Sequence, residues 1–166
     1  AGGNVMLGRS WTRNTGGVFT QYTRSVTFNT SNNGTLTAPT GGETFYDVVI
    51  NKPNTGSAPT TFVGYTITLN SPLSITNALT FTSGYFVTGA TNILTMGAGS
   101  SSSGGGYESF VSGPMKKVGT TNYTFPVGKI VGSEYHYGPI GIGSLGATSY
   151  EYTTEYKRAS GYTQGP

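Results

Sequence analysis

The sequence predicts an all-β fold, a parallel β-helix or solenoid-like N-terminal part followed by an antiparallel, β-sandwich-like segment, and three observations carry that expectation. Helix signals are almost absent: Thr, Val, Ile, Tyr and Phe dominate the apolar positions, and Gly, Pro or Asn interrupts nearly every window of ten residues. A short apolar-Thr-apolar element recurs along the first hundred residues. After a Ser/Gly run the texture changes to longer alternating strands rich in tyrosine.

The strand candidates in chain order are Val5-Met6-Leu7, Ser10-Trp11-Thr12, Val26-Thr27-Phe28, Val48-Val49-Ile50, Thr66-Ile67-Thr68-Leu69, Leu79-Thr80-Phe81 and Ile93-Leu94-Thr95-Met96. Aligned on the apolar-Thr-apolar pattern, the units begin at positions 26, 48, 67, 79 and 94, and successive starts differ by 22, 19, 12 and 15 residues. That variable period is expected when each unit is one turn of a solenoid. In an extended strand the two apolar residues share one face and the Thr takes the other, so stacking the units builds an apolar column inside and a Thr-rich surface outside. The longest strand signal is Thr44 to Asn51, where Tyr46, Val48 and Ile50 are expected to point inward and Phe45, Asp47 and Val49 outward. Asn32-Asn33-Gly34, Gly41-Gly42, Pro53-Asn54, Ser83-Gly84 and Gly97-Ala98-Gly99 supply the corners.

Residues 1–99 therefore form the repeat region, and 100–106, which read SSSSGGG, are expected as a linker or surface loop. Residues 107–166 are expected to form a second β-rich unit that reads as incomplete in this chain. Within it Tyr150, Tyr152, Thr154 and Tyr156 share one strand face, while Glu151, Thr153, Glu155 and Lys157 share the other. The three tyrosines are the candidate interface or ligand residues, because an aromatic face with polar tips suits a neighbouring subunit or a sugar ring. The competing reading makes them half of an ordinary core.

Composition narrows the function. Only 9% of the residues are charged, and the net charge of +3 arises from nine Lys and Arg scattered along the chain. Without a basic block, nucleic acid is not an expected partner. There is no cysteine, which excludes disulfides and thiolate metal sites. No run approaches the ~18 apolar residues of a membrane helix, and the N-terminal AGGNVMLG has neither the basic nor the apolar part of a signal peptide, so an exported protein would here be mature or excised sequence.

Catalytic chemistry finds little support. His136 is the sole histidine, set in what reads as a turn, Glu134-Tyr-His-Tyr-Gly-Pro. The acid pairs Glu43/Asp47 and Glu151/Glu155 stand about 13 Å apart in a strand at ~3.3 Å per residue, wider than the roughly 5–10 Å of a glycosidase pair. A single Asp without a neighbouring acid motif does not make a calcium site. No catalytic, cofactor-binding or metal-binding residue is assigned, and no cofactor is expected.

Two segments carry a family resemblance. VTFN, TFYDVVINK, ITLNSPLSITNALTFTSGYF and NILTMGAGS, between Val26 and Ser100, resemble the degenerate β-helix repeats of the large secreted cell-surface proteins of Bacteroidota, often exported by the type IX system. FVSGPMKKVGTTNYTFPVGK followed by YGPIGIG resembles the stretch those proteins carry where the β-helix ends. The resemblance covers about 130 residues. It implies an extracellular location, a longer modular parent and a role in adhesion, gliding or surface architecture, and it names no chemical activity. The sorting domain that ends such proteins has no counterpart before Pro166, which implies truncation or another export route.

The expected function is thus an extracellular structural or adhesive protein, not an enzyme, whose partners are copies of itself joined by strands into a filament or sheath, with polysaccharide as a further partner. A carbohydrate-binding module of a larger secreted protein is the alternative.

Overall fold

A computed structural model describes residues 3–56, 62–119, 121–143 and 150–158. Among them every regular element is a strand, as expected. The strands are β1 (Val5–Leu7), β2 (Trp11–Thr12), β3 (Ser25–Phe28), β4 (Gly34–Thr37), β5 (Glu43–Asn51), β6 (Thr66–Leu69), β7 (Leu73–Ser83), β8 (Tyr85–Val87) and β9 (Leu94–Met96). They continue as β10 (Ser101–Gly104), β11 (Val111–Ser112), β12 (Met115–Val118), β13 (Tyr123–Phe125), β14 (Val127–Val131), β15 (Glu134–Tyr137), β16 (Ile140–Ile142) and β17 (Glu151–Thr154).

The chain passes to and fro between two large sheets. One runs β1-β3-β5-β7-β9-β12-β17, with β10 joined to β7, and the other runs β2-β4-β6-β8-β11-β14-β15. Neighbours pair in parallel until the far ends, where β17 on β12 and β15 on β14 run antiparallel. The small sheet β13-β16 is also antiparallel. The C-terminal part is therefore mixed, since β11, β12 and β14 continue the parallel ladders of the first part.

Register explains the burial. Val5, Val26, Val48 and Leu79 stand opposite one another, as do Leu7, Phe28, Ile50 and Phe81. In the second sheet Ile67, Phe86, Val111 and Val127 form a row. These rows belong to one apolar cluster that extends from Val26 to Val127. The alternate residues, such as Thr27, Val49, Thr80 and Ser103, line up on the outer face.

Three departures from the sequence reading have clear physical reasons. First, the aligned units do not form one row: Ile67 and Leu69 lie in the second sheet, and Leu94 and Met96 pair with Leu73 and Ile75, not with Leu79 and Phe81. One pattern serves every strand because each has one dry face. Second, the alternation in β5 breaks. Phe45 is fully buried along with Val48 and Ile50, whereas Tyr46 is not. Between Phe45 and Asp47 the register against β7 slips by one residue, and Asp47 Oδ1 accepts hydrogen bonds from the Ala78 N–H at 3.1 Å and Asn77 Nδ2 at 2.7 Å at the slip. Each of these two long strands thus contributes two separate paired stretches.

Third, the run expected as a linker or loop contains a strand. Ser101–Gly104 pairs with Ala78–Phe81, bringing Ser102 against Leu79 and Gly104 against Phe81. Serine and glycine lack strand propensity, but a neighbouring ladder with unused donors and acceptors outweighs that preference.

Strand β4 was hidden by its glycine. At Gly34 a Cβ would lie 1.8 Å from the Arg9 carbonyl oxygen, so the position requires glycine for close approach and is not only a turn.

Candidate functional site

Three charged side chains are buried among the described residues, Glu43, Lys52 and Lys117. In the stretch of β5, β7, β9 and β12 two rows run side by side: Glu43-Leu73-Leu94-Met115 and Phe45-Ile75-Met96-Lys117. Each row holds one buried ion, Glu43 on β5 in the first and Lys117 on β12 in the second, with Tyr152 of β17 standing opposite Lys117 on its other side. Glu43 accepts hydrogen bonds from Arg13 Nε at 2.7 Å, Trp11 Nε1 at 2.9 Å and the Thr44 N–H at 3.1 Å. Three donors satisfy a carboxylate that burial would otherwise penalise. Above it Trp11, Phe19 and Phe45 meet edge to face at 4.7, 5.1 and 5.6 Å, so the loop between β2 and β3 covers this end of the row.

Lys117 donates to the Gly97 carbonyl and to Ser100 Oγ at 3.2 Å, and its ammonium lies 5.4 Å from the Tyr123 ring centroid. Burial lowers its pKa. The same burial pushes the Tyr123 hydroxyl up to about 12. Lys52, just beyond the Val48-Ile50 alternation, is fully buried, and its Nζ has no hydrogen-bond partner among the described residues. Burial first, and then the nearby Arg9 charge, lower its pKa to about 8.

Three short side chains extend the ladders past the strand ends. Asn4 Oδ1, Ser10 Oγ and Asn33 Oδ1 each accept a backbone N–H from the next pass, at Ser25, Thr35 and Thr66, all at 3.0 Å. On the outside of the second sheet, Ser10, Thr35, Thr66 and Thr68 with Arg9 and Asn33 line an open trough of about 490 Å³. A second aromatic cluster of Phe62, Tyr85, Phe110 and Tyr135 covers the outer side of β8, with Tyr85 stacked on Tyr135 at 5.0 Å. These rings are buried and present no platform to solvent.

The tyrosines singled out from the sequence divide. Tyr152 and Tyr156 are half-buried against the main core, while Tyr150 is 53% exposed, its ring 6.4 Å from that of Tyr152. His136 lies on strand β15 and not in a turn, its Nε2 3.2 Å from Glu134 Oε2. Glu134 also pairs with Arg158, and the hydrogen bonds from His136 and Arg158 hold its carboxyl below the usual range. Glu151 pairs with Lys116 at 2.7 Å, and Glu155 lies 3.9 Å from both Lys129 and Lys157. Among the described residues no three His, Asp or Glu converge as a metal site, and no helix is long and apolar enough to cross a membrane.

Comparison with protein-family models, curated proteins and solved structures returned no match. The site is therefore read from its own geometry.

Sequence reasoning did not find Glu43, Lys52 or Lys117 as interior groups. The signal was present for two of them: Lys52 continues the alternation Val48-Ile50, and Lys117 continues Met115, each two residues past a buried position.

Proposed function

We propose that this chain is a short parallel β-helix acting as a structural or adhesive module at a cell surface, without enzymatic activity. The carrying observation is the pair of parallel ladders built around one apolar cluster, with hydroxyl-rich outer faces. Such a body is stiff because each strand of the two ladders is hydrogen-bonded to its neighbours in the sheet. The second sheet stacks seven strands, a length of roughly 30 Å at ~4.8 Å per strand. The acids are engaged in packing or surface ion pairs at Glu43, Asp47, Glu134, Glu151 and Glu155, which favours a mechanical role over general acid-base work.

The resemblance to secreted surface proteins of Bacteroidota supports the extracellular assignment and the reading of the chain as one module of a longer architecture. Copies of the chain are the first partners, meeting through strand edges. Antibody labelling of intact source cells, with negative-stain microscopy of the native material, tests the assignment. External label on regular filaments or arrays is the expected result, and label that requires permeabilised cells overturns it.

A carbohydrate-binding role is favoured by one feature, the open trough of Ser10, Asn33, Thr35, Thr66 and Thr68 beside the Arg9 guanidinium. Polar groups of that kind suit an acidic polysaccharide. Binding of uronic-acid oligosaccharides that disappears in Arg9→Ala, followed by calorimetry, is the outcome this reading requires.

A further inference from the structure

The chain has nine lysines and arginines, and nearly all of them are engaged. Arg13, Lys116, Lys129, Lys157 and Arg158 have carboxylate partners. Lys117 donates to the Gly97 carbonyl and to Ser100 Oγ, and Arg24 donates to the Thr20 carbonyl with its guanidinium 5.2 Å from the Tyr22 ring centroid. Arg9 and Lys52 are the exceptions. Among the described residues neither side chain has an ion pair or a hydrogen bond, although Lys52 is fully buried.

These two cations belong to one corner of the molecule. A Cβ on Gly84 would lie 2.8 Å from Lys52 Cβ and 3.0 Å from the Tyr65 carbonyl oxygen, so the foot of the Lys52 side chain passes beside the residue that precedes Thr66. A Cβ on Gly34 would meet the Arg9 carbonyl oxygen at 1.8 Å and Ile67 Cδ1 at 3.0 Å, which holds the Arg9 backbone against β4 and the start of β6. Arg9, Gly34 and Thr66 all line the open trough on the second sheet, and no acid lines it. Lys52 therefore stands behind the wall of a trough that carries Arg9. The Arg9 charge reaches it: burial first, and then Arg9, lower the Lys52 pKa, and no carboxylate offsets them.

A buried ammonium without a partner, beside a second unpaired cation, is a costly arrangement that a bound anion relieves. Resting on the reading of the trough as a site for an acidic sugar, we infer that Arg9 and Lys52 together hold one oxyanion, the carboxylate of a uronic-acid unit lying in that trough. The guanidinium fork suits two parallel hydrogen bonds to a carboxylate, and the lysine adds a compact point charge on a flexible four-carbon stem that can turn toward the same group. The hydroxyls of Thr35, Thr66 and Thr68 lie along the trough and suit the hydroxyl groups of the same sugar.

The parent chain, Arg9→Ala and Lys52→Met are compared, with circular dichroism and the unfolding midpoint reporting that each is folded. Calorimetry with the trimer of galacturonic acid should show binding to the parent that weakens roughly tenfold or more in each variant, the usual contribution of one hydrogen bond to a charged group. The Cε resonance of Lys52 in carbon NMR, identified by its absence from Lys52→Met, should titrate near 8 in the free parent and at higher pH with the trimer bound, a shift that a merely structural lysine would not show. Millimolar inorganic sulfate at constant ionic strength is the second arm. If sulfate raises the unfolding midpoint of the parent but of neither variant, while the trimer does not bind, the two-cation site stands and the acidic-sugar reading of the trough falls. If the trimer binds, is lost in Arg9→Ala and is unchanged in Lys52→Met with the Lys52 titration unmoved, the trough reading stands and the inference is overturned. No response to either anion overturns both. If Lys52→Met does not fold, Lys52→Gln replaces it, and the titration of Lys52 in the parent decides by itself.

Discussion

At the scale of single residues, the interior ions set measurable properties. Lys52 is buried and unpartnered among the described residues, so Lys52→Met should stabilise the protein by about 1–3 kcal/mol at pH 7, the usual relief for a buried polar group without a partner. Its pKa falls from 10.5 to about 8 on folding. Between those values the unfolded chain holds a proton that the native one has released, so stability rises with pH through that window. Tyr123 has the opposite sign: its pKa rises from 10.0 to about 12 on folding, and stability falls as pH climbs through that range. Urea midpoints measured from pH 7 to 11 should therefore increase from about pH 8 and turn down above about pH 10. The advantage of Lys52→Met over the parent should shrink along the rising limb.

Glu43 offers a second residue-scale test. Glu43→Ala strands Arg13 and the Trp11 indole N–H, and should cost about 3 kcal/mol with a red shift of the emission of Trp11, the single tryptophan. Neither ion announces its location by residue type, since Lys and Glu are surface residues by default. Alternation with neighbouring buried positions was the only legible clue, and it is outweighed by a charge unless the partners are known.

At the scale of elements, the sequence displayed the strands better than their partners. Val26-Thr-Phe28, Thr66 to Leu69 and Leu79-Thr-Phe81 are visible because period-two alternation is a local property. Which sheet each belongs to depends on chain direction at the corners, and Ile67 and Leu79 look alike while lying in different sheets. Strand β10 was illegible for a different reason, because its pairing comes from β7 and not from its own serines. The slip at Asp47 is equally non-local. Asp47→Ala leaves the Ala78 N–H and the Asn77 amide without their acceptor and should cost about 1–3 kcal/mol, read by chemical denaturation. Asp47→Asn, which keeps an acceptor oxygen, should recover most of that loss.

For the whole molecule, the decisive fact is that the core does not stop at the Ser/Gly run. Leu94 and Met96 are covered by Met115 and Lys117, and Phe86 by Val111. A fragment of residues 1–99 should accordingly unfold at lower denaturant than the full chain, with the full chain showing one cooperative transition by both Trp11 fluorescence and far-ultraviolet circular dichroism. Parallel pairing between strands some twenty or more residues apart, as in Val5 with Val26 and Val48 with Leu79, makes nucleation slow. Refolding should fall in the millisecond-to-second range of all-β proteins, about a thousandfold slower than a helical bundle of low contact order. The buried ions were less legible than the fold, because their partners, Arg13 and Trp11 for Glu43 and Gly97 and Ser100 for Lys117, come from other parts of the chain.

The placement of Glu43 on β5 and Lys117 on β12, in adjoining rows, has an evolutionary consequence. Both ions are specified by their own neighbours, Arg13 and Trp11 for the one, Gly97 and Ser100 for the other. Duplicating the passage from Leu73 to Ile93 would insert a further apolar layer between the two ions and shift them apart by ~4.8 Å without disturbing either. Gene duplication within this segment thus acts as a gauge of length, and longer or shorter versions of one architecture keep the same chemistry around Glu43 and Lys117.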